Sequence, residues 1–120
     1  MLKKILLIED SIASADFISK ALESEGYEIS VAKNGADGFQ KAIGNGFDLV
    51  IIDIVLPDIN GLEVCREIKS KLAKNSPKVI ALTGIVDAID AVAARRAGAD
   101  DFCVKTKDML SLIEAVKKHI

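Results

Sequence analysis

The sequence holds no tryptophan, one histidine, one tyrosine, two cysteines and two prolines among its 120 residues. Each scarcity removes a class of function. His119, the only imidazole, is next to last, so no histidine-dependent triad or imidazole metal cage is expected, and a solvated terminal side chain is. Cys65 and Cys103 stand far apart with no histidine neighbour. They make no zinc pattern and are expected as reduced thiols packed like small hydrophobes. A net charge of −2 argues against a broad nucleic-acid-binding face. No apolar run approaches the ~20 residues of a membrane span. The stretch Met1 to Ile5 lacks the long apolar region and cleavage site of a signal peptide. A soluble, cytoplasmic domain that binds neither nucleic acid nor membrane is the expected class.

What is present is a rich supply of core residues: 50% of the chain is apolar and 28% charged. A chain of this length should bury roughly two thirds of the surface its unfolded form exposes, enough to fold without disulfides or structural metal. No repeat, linker or composition break divides it, so residues 1–120 are expected to form a single domain.

Periodicity alternates regularly. Ile5–Ile8 is a continuous apolar run, as suits a strand buried on both faces. Ile12 to Glu25 has helical spacing at Ala15, Ile18 and Leu22, with Gly26 as its stop. A weaker strand follows over Glu28 to Ala32, then a helix over Ala36 to Ile43. Leu49–Ile52 is the strongest strand signal. The loop Pro57–Gly61 has turn chemistry throughout and leads into a helix over Leu62 to Leu72. A strand over Lys78 to Leu82, a helix over Asp87 to Ala97, a short strand over Phe102 to Val104 and a helix over Met109 to Lys118 complete the chain. This alternation predicts an α/β fold: an open, doubly wound parallel sheet of five strands with five helices on its two faces.

In such sheets ligands bind beyond the carboxyl ends of the strands. Glu9 and Asp10 follow the first strand, Asp53 ends the third, Thr83 follows the fourth and Lys105 the fifth. Each has an inert reading. Asp10 beside Ser11 fits a helix cap, Glu9 a solvated loop charge, Thr83 a turn hydroxyl before Gly84, and Lys105 a surface charge. Asp53 resists that treatment, because Leu49–Ile52 and Ile54–Leu56 flank it. A carboxylate in such a setting is costly without a cation or donors. Converging carboxylates repel one another, and a hard divalent cation, Mg²⁺, relieves the conflict. Mg²⁺ with the Lys105 ammonium leaves room for a phosphoryl dianion, and Asp53 is the best nucleophile toward it.

The motifs Ile8–Ser11, Ile52–Gly61, Ala81–Gly84 and Phe102–Lys105 together resemble the receiver domain of two-component response regulators, over the whole chain. The resemblance implies a flavodoxin-like sheet ordered 2-1-3-4-5. It implies that Asp53 accepts phosphate from a histidine kinase or phosphotransfer protein. Asp10 then matches a direct Mg²⁺ ligand, Glu9 one acting mainly through water, and the Val55 backbone carbonyl a further protein ligand beside Asp53. Thr83 and Lys105 match the switch hydroxyl and the phosphate-binding lysine, and Phe102 the switch aromatic. An output protein would read residues 87–119, where Ala88, Ala91, Ala93 and Ala94 are expected as a low-relief surface between Arg95, Arg96, Lys117 and Lys118. Such a domain is not an enzyme toward other substrates, catalysing only its own phosphorylation and slow dephosphorylation. Val55 and Ile85 match the positions that set phosphoryl lifetime. Both are apolar and β-branched, so slow loss is expected. The family's proline after the lysine is replaced here by Thr106. A cis bond without proline costs about 3–4 kcal/mol, so Lys105–Thr106 is expected to be trans.

Three other functions compete. A Mg²⁺-dependent aspartyl-phosphate phosphatase or phosphotransferase usually has a second aspartate two residues after the nucleophile, where Val55 stands, and a cap domain. A flavin carrier needs a Gly-rich loop after the first strand, where Asp10-Ser11-Ile12-Ala13-Ser14 has no glycine, and aromatic walls. A degenerate receiver would lack acids or lysine that are all present. The chain either acts alone or is the receiver fragment of a larger regulator.

Overall fold

The strands Lys4–Ile8 (β1), Glu28–Ala32 (β2), Leu49–Asp53 (β3), Lys78–Thr83 (β4) and Asp101–Val104 (β5) alternate with the helices Ile12–Ser24 (α1), Gly35–Gly44 (α2), Gly61–Leu72 (α3), Ala88–Arg96 (α4) and Leu110–His119 (α5). These elements come from a computed structural model that describes residues 2–84, 88–106 and 108–120, apart from the side chains of Ala88 and Ile89. All pairings are parallel and the sheet order is β2-β1-β3-β4-β5. The doubly wound fold and strand order expected from the sequence are those observed.

The apolar runs are continuous because both faces of the sheet are covered. Leu6, Ile8, Val50, Ile52, Val79 and Ala81 face α2, α3 and α4, meeting Ala42, Val64, Cys65, Ile68 and Ala94. Their strand neighbours Ile5, Leu7, Leu49, Ile51, Ile80 and Leu82 face α1 and α5, meeting Ile18, Leu22, Leu112 and Val116. Each fully buried Leu or Ile contributes roughly 1.5–3 kcal/mol relative to exposure. Both thiols are buried and free, as expected, and burial pushes each up to about 11.

Several boundaries move. β3 and β4 run one residue further, to Asp53 and Thr83, because ladder pairing with the neighbouring strand continues there. α2 starts at Gly35, capped by Asn34, whose side chain accepts from the Asp37 N–H. α3 starts one residue earlier, at Gly61, and ends at Leu72 as expected, capped by Ala73 with φ 49° ahead of a 3₁₀ turn over Ala73–Asn75. Met109 is buried but precedes α5 with φ 58°. Asp87, expected to open the fourth helix, lies outside the described residues.

Two expectations are corrected. Ala94 is fully buried and Ala93 packs on the core, so these alanines are not an outer surface. Small side chains let α4 lie close on the sheet, and among its described side chains Val92, Arg95 and Arg96 are the exposed ones. His119 is not solvated either. α5 continues through it, bringing Nε2 to 3.0 Å from Asp101 Oδ2 with only 14% of the side chain exposed.

The end of the sheet opposite the acidic edge is held by Asp100. Its Oδ2 accepts from Lys69 Nζ at 2.7 Å and from the Val79 N–H at 2.8 Å, joining α3, β4 and the turn before β5. Burial alone would raise its pKa. The Lys69 ammonium and the Val79 N–H outweigh it and hold the carboxyl below its ordinary 3.8. A depressed folded pKa gives stability that is complete above 3.8 and is lost as pH falls through the folded value. Asp100→Asn is therefore expected to cost about 1–2 kcal/mol at neutral pH, the low range for a charged hydrogen bond at a partly exposed site. The deficit should shrink below 3.8. Urea unfolding of both proteins across that range checks it. A deficit independent of pH would assign the loss to packing instead.

Candidate functional site

Register decides which side chains meet. Ile8 pairs with Ile52, so the next residues, Glu9 and Asp53, leave the sheet side by side. Asp53 pairs with Leu82 and Thr83 with Val104, placing Thr83 and then Lys105 one step further along the same edge. The Lys105 N–H donates to the Thr83 carbonyl at 2.7 Å, extending that ladder past β5.

Four of the five expected residues lie at least partly buried. Glu9 is 1%, Thr83 4% and Asp53 6% exposed, Lys105 is half-buried, and Asp10 is exposed. Lys105 Nζ sits between two carboxylates, 2.8 Å from Glu9 Oε2 and 2.9 Å from Asp53 Oδ2. The other oxygens are held by backbone. The Val55 N–H donates to Asp53 Oδ1 at 2.9 Å, and the Ser11 N–H to Glu9 Oε1 at 3.2 Å. Ser11 also caps α1, its Oγ accepting from the Ser14 N–H at 3.2 Å. Asp10 thus has no capping duty there, and the inert reading offered for it falls away.

Electrostatics leave this edge short of positive charge. Carboxylate oxygens of Glu9, Asp10 and Asp53 lie within 4.8 Å of one another, and among the described residues Lys105 supplies the one ammonium paired with them. Burial, with the neighbouring Asp53, raises the Glu9 carboxyl, and Lys105 only partly offsets this. Burial also works against the charge on Lys105, but the Glu9 and Asp53 carboxylates outweigh it and hold the ammonium above its ordinary range. An all-oxygen donor set with excess negative charge fits a hard divalent cation.

The neighbouring positions divide. Phe102 is partly buried and packs against the cluster that contains Ala81 and Ala94. The Val55 side chain is 73% exposed, which fits a rim position better than a cover over the carboxylates. Ile85 lies outside the described residues. No peptide bond among the described residues is cis, so Lys105–Thr106 is trans and the lysine reaches both acids on its flexible stem. Sequence reasoning missed Asp58 in the loop after β3. Its Oδ1 accepts from the Gly35 N–H at 2.8 Å and Oδ2 from the Ala36 N–H at 3.0 Å.

A twisted 2-1-3-4-5 parallel sheet with an acid cluster and a lysine at its carboxyl edge defines a class of signalling domain, and comparison with known proteins gives the family. The sequence pattern of the response regulator receiver domain matches residues 5–117. The response regulator ArlR of Staphylococcus saprophyticus is 39% identical over 114 residues, covering 95% of this chain and 50% of that regulator. Its Staphylococcus aureus counterparts are 38% identical, so the chain spans about half the length of the curated relatives it matches. Among solved structures, Thermotoga maritima TrrA in complex with Mg²⁺ and BeF superposes with a TM-score of 0.90 at 37% identity, covering 99% of this chain and 100% of that one. A CheY-like receiver domain from Methanospirillum hungatei gives 0.88 at 34% identity, covering 98% and 93%. The chain belongs to the response regulator receiver domain family, the signalling-switch component of two-component systems.

Proposed function

We propose that this receiver is switched by phosphorylation of Asp53, with a histidine kinase or phosphotransfer protein as donor. The observation that carries the reading is the nearly buried Asp53 carboxylate held between Lys105 and the Val55 N–H, with Glu9 and Asp10 beside it. An Asp53 oxygen attacks the phosphorus of a phosphohistidine. The P–N bond breaks, its electron pair returns to the imidazole, and an acyl phosphate forms on Asp53. Lys105 would follow the added negative charge, and the hydroxyl of Thr83, which ends β4 on the same edge, would turn to bind it. Glu9, Asp10, Asp53 and the Val55 carbonyl would hold Mg²⁺, as their donor set suits. When bound, Mg²⁺ lowers the repulsion between the carboxylates and the incoming phosphoryl group.

Phe102 would carry the change outward as Thr83 moves, altering the surface that an output protein reads over residues 87–119. Asp87 lies outside the described residues. Among the described side chains, exposed Val92, Arg95 and Arg96 on α4 and Lys118 on α5 are contacts this face offers, whereas Lys117 pairs with Glu25 at 2.7 Å on the side of α1. The cytoplasm, where such kinases act, is the proposed location.

The reading is tested by incubating the protein with acetyl phosphate and Mg²⁺ and measuring intact mass. One added phosphoryl group, absent in EDTA and removed by hydroxylamine, is expected. No added mass, or equal labelling in EDTA, would overturn it. Loss of the label after donor removal is expected to be slow, because neither Val55 nor Ile85 can hydrogen-bond an attacking water. Val55→Asn/Ile85→Glu should shorten the lifetime several-fold or more, on the order of the contribution of a positioned water. An unchanged decay would mean that the exposed Val55 side chain does not take part.

A further inference from the structure

We infer that Asp58 is a positioning residue for the acidic site, tying the loop that follows Asp53 to the start of α2. The inference rests on the phosphorylation reading above. Asp58 receives two backbone N–H groups of a helix more than twenty residues earlier in the chain, those of Gly35 and Ala36, at 2.8 and 3.0 Å. These bonds hold its carboxyl below the ordinary range and so keep it charged.

The local cap does not reach these two donors, and a residue from another loop takes them. α2 already has a local cap in Asn34, whose Oδ1 accepts from the Asp37 N–H at 2.8 Å. Asp58 adds a second anchor from outside the helix, on an exposed side chain that burial does not force into place. The surroundings are shaped for it. A Cβ on Gly35 would lie 2.1 Å from Ile59 Cγ2 and 3.3 Å from Asp58 Oδ1, so a side chain there would push the loop away.

The far side of the loop is anchored as well. Asn60 Oδ1 accepts from the Leu62 N–H at 2.8 Å, and the Gly61 N–H donates to the Ile54 carbonyl at 2.8 Å. The segment between Ile54 and Asn60 is thus fixed to α2 through Asp58 and to α3 through Asn60. It carries Val55, whose N–H orients Asp53 Oδ1 and whose carbonyl is a proposed metal ligand. Releasing Asp58 frees the middle of the loop, while Ile54 stays held by the Leu82 carbonyl and the Gly61 N–H. The Val55 carbonyl, on the peptide that leads toward Asp58, then loses part of its preorganisation, and with it the geometry of metal binding.

Three variants separate positioning from capping. Asp58→Ala is expected to weaken Mg²⁺ binding, measured by calorimetry, about tenfold, the low end for groups that orient a metal ligand. Labelling by acetyl phosphate at sub-saturating Mg²⁺ should slow with it. Asp58→Asn, which offers one acceptor oxygen to two N–H groups, should fall between Asp58→Ala and the parent. Asn34→Ala loosens the same helix start from α2's own side. It is expected to lose comparable stability in urea while keeping the parent's Mg²⁺ affinity. Parent-like Mg²⁺ affinity in Asp58→Ala, or an equal loss in Asn34→Ala, overturns the inference and leaves the phosphorylation reading standing. A wild-type protein that takes up neither Mg²⁺ nor phosphoryl group overturns that reading and this inference with it.

Discussion

Asp53→Ala is expected to take up no phosphoryl group from acetyl phosphate at any Mg²⁺ concentration. Asp53 is the acid of the cluster that ends a strand, with Lys105 on Oδ2 and the Val55 N–H on Oδ1. Glu9 is as buried and is held in the same way, by Lys105 and the Ser11 N–H, but it stands beyond the end of β1, and Asp10 lies in the open. The milder Asp53→Asn separates function from folding. It keeps the shape of the side chain and removes one of two carboxylates around Lys105, and Asp53 is among the causes that raise Glu9. Two buried acids sharing one cation gain less from pairing than their burial costs. In EDTA, Asp53→Asn should therefore be no less stable than the parent, while remaining unlabelled. Intact mass and the urea midpoint give the two answers. A label that persists would move the acceptor elsewhere. A loss of more than about 2 kcal/mol, the scale of a charged hydrogen bond, would make the Asp53–Lys105 pair a fold stabiliser.

The site was legible in the sequence to the extent that each residue sits at a strand end. Asp53 interrupts an apolar run, and parallel register then fixes what stands beside it, so Glu9 and Lys105 followed from counting. The depth of Glu9 did not follow. A glutamate after a strand ordinarily turns to solvent, and here closure by Lys105 and the Ser11 N–H keeps it inside. Contacts made across long separations were also hidden. Asp58 to α2, and Asp100 to Lys69 and Val79, join residues more than twenty positions apart, and no local pattern encodes either pair. The α4 alanines were misjudged for a related reason. Small residues mark close helix–sheet approach as readily as a flat exterior, and only the position of Ala94 over the sheet decides. His119 was misjudged from its place in the sequence, whereas the length of α5 is what seats it against Asp101.

Alanine at Gly61 is expected to damage the fold more than alanine at Gly38, and at Gly44 it should do no harm. Gly61 is the first residue of α3 and has no left-handed backbone, since positive φ among the described glycines occurs at Gly26, Gly46 and Gly98. Helix propensity alone would favour Gly61→Ala by up to about 1 kcal/mol. Space decides otherwise. A Cβ there would stand 2.0 Å from the Asp53 carbonyl oxygen and 2.9 Å from Ile54 Cα, and backbone atoms have no rotamer by which to retreat. Overpacking of this kind costs about 3 kcal/mol or more when the chain itself must shift, so the clash outweighs propensity. At Gly38 the obstacle is Ile8, with Cδ1 at 2.5 Å. Its side chain can give way, although Ile8 is fully buried, and a net loss of about 1–2 kcal/mol is expected. At Gly44 nothing lies within 4 Å, so Gly44→Ala should gain a few tenths of a kcal/mol, roughly the unfolded-state entropy it removes. Urea midpoints of the three variants should fall in that order. The Gly61 variant should also lose labelling while still folded, because the displaced atoms belong to Asp53 itself. A Gly61→Ala protein as stable as the parent, with normal labelling, would show that the floor beneath the carboxylate yields, and that the close approach of α3 does not hold the acceptor in place.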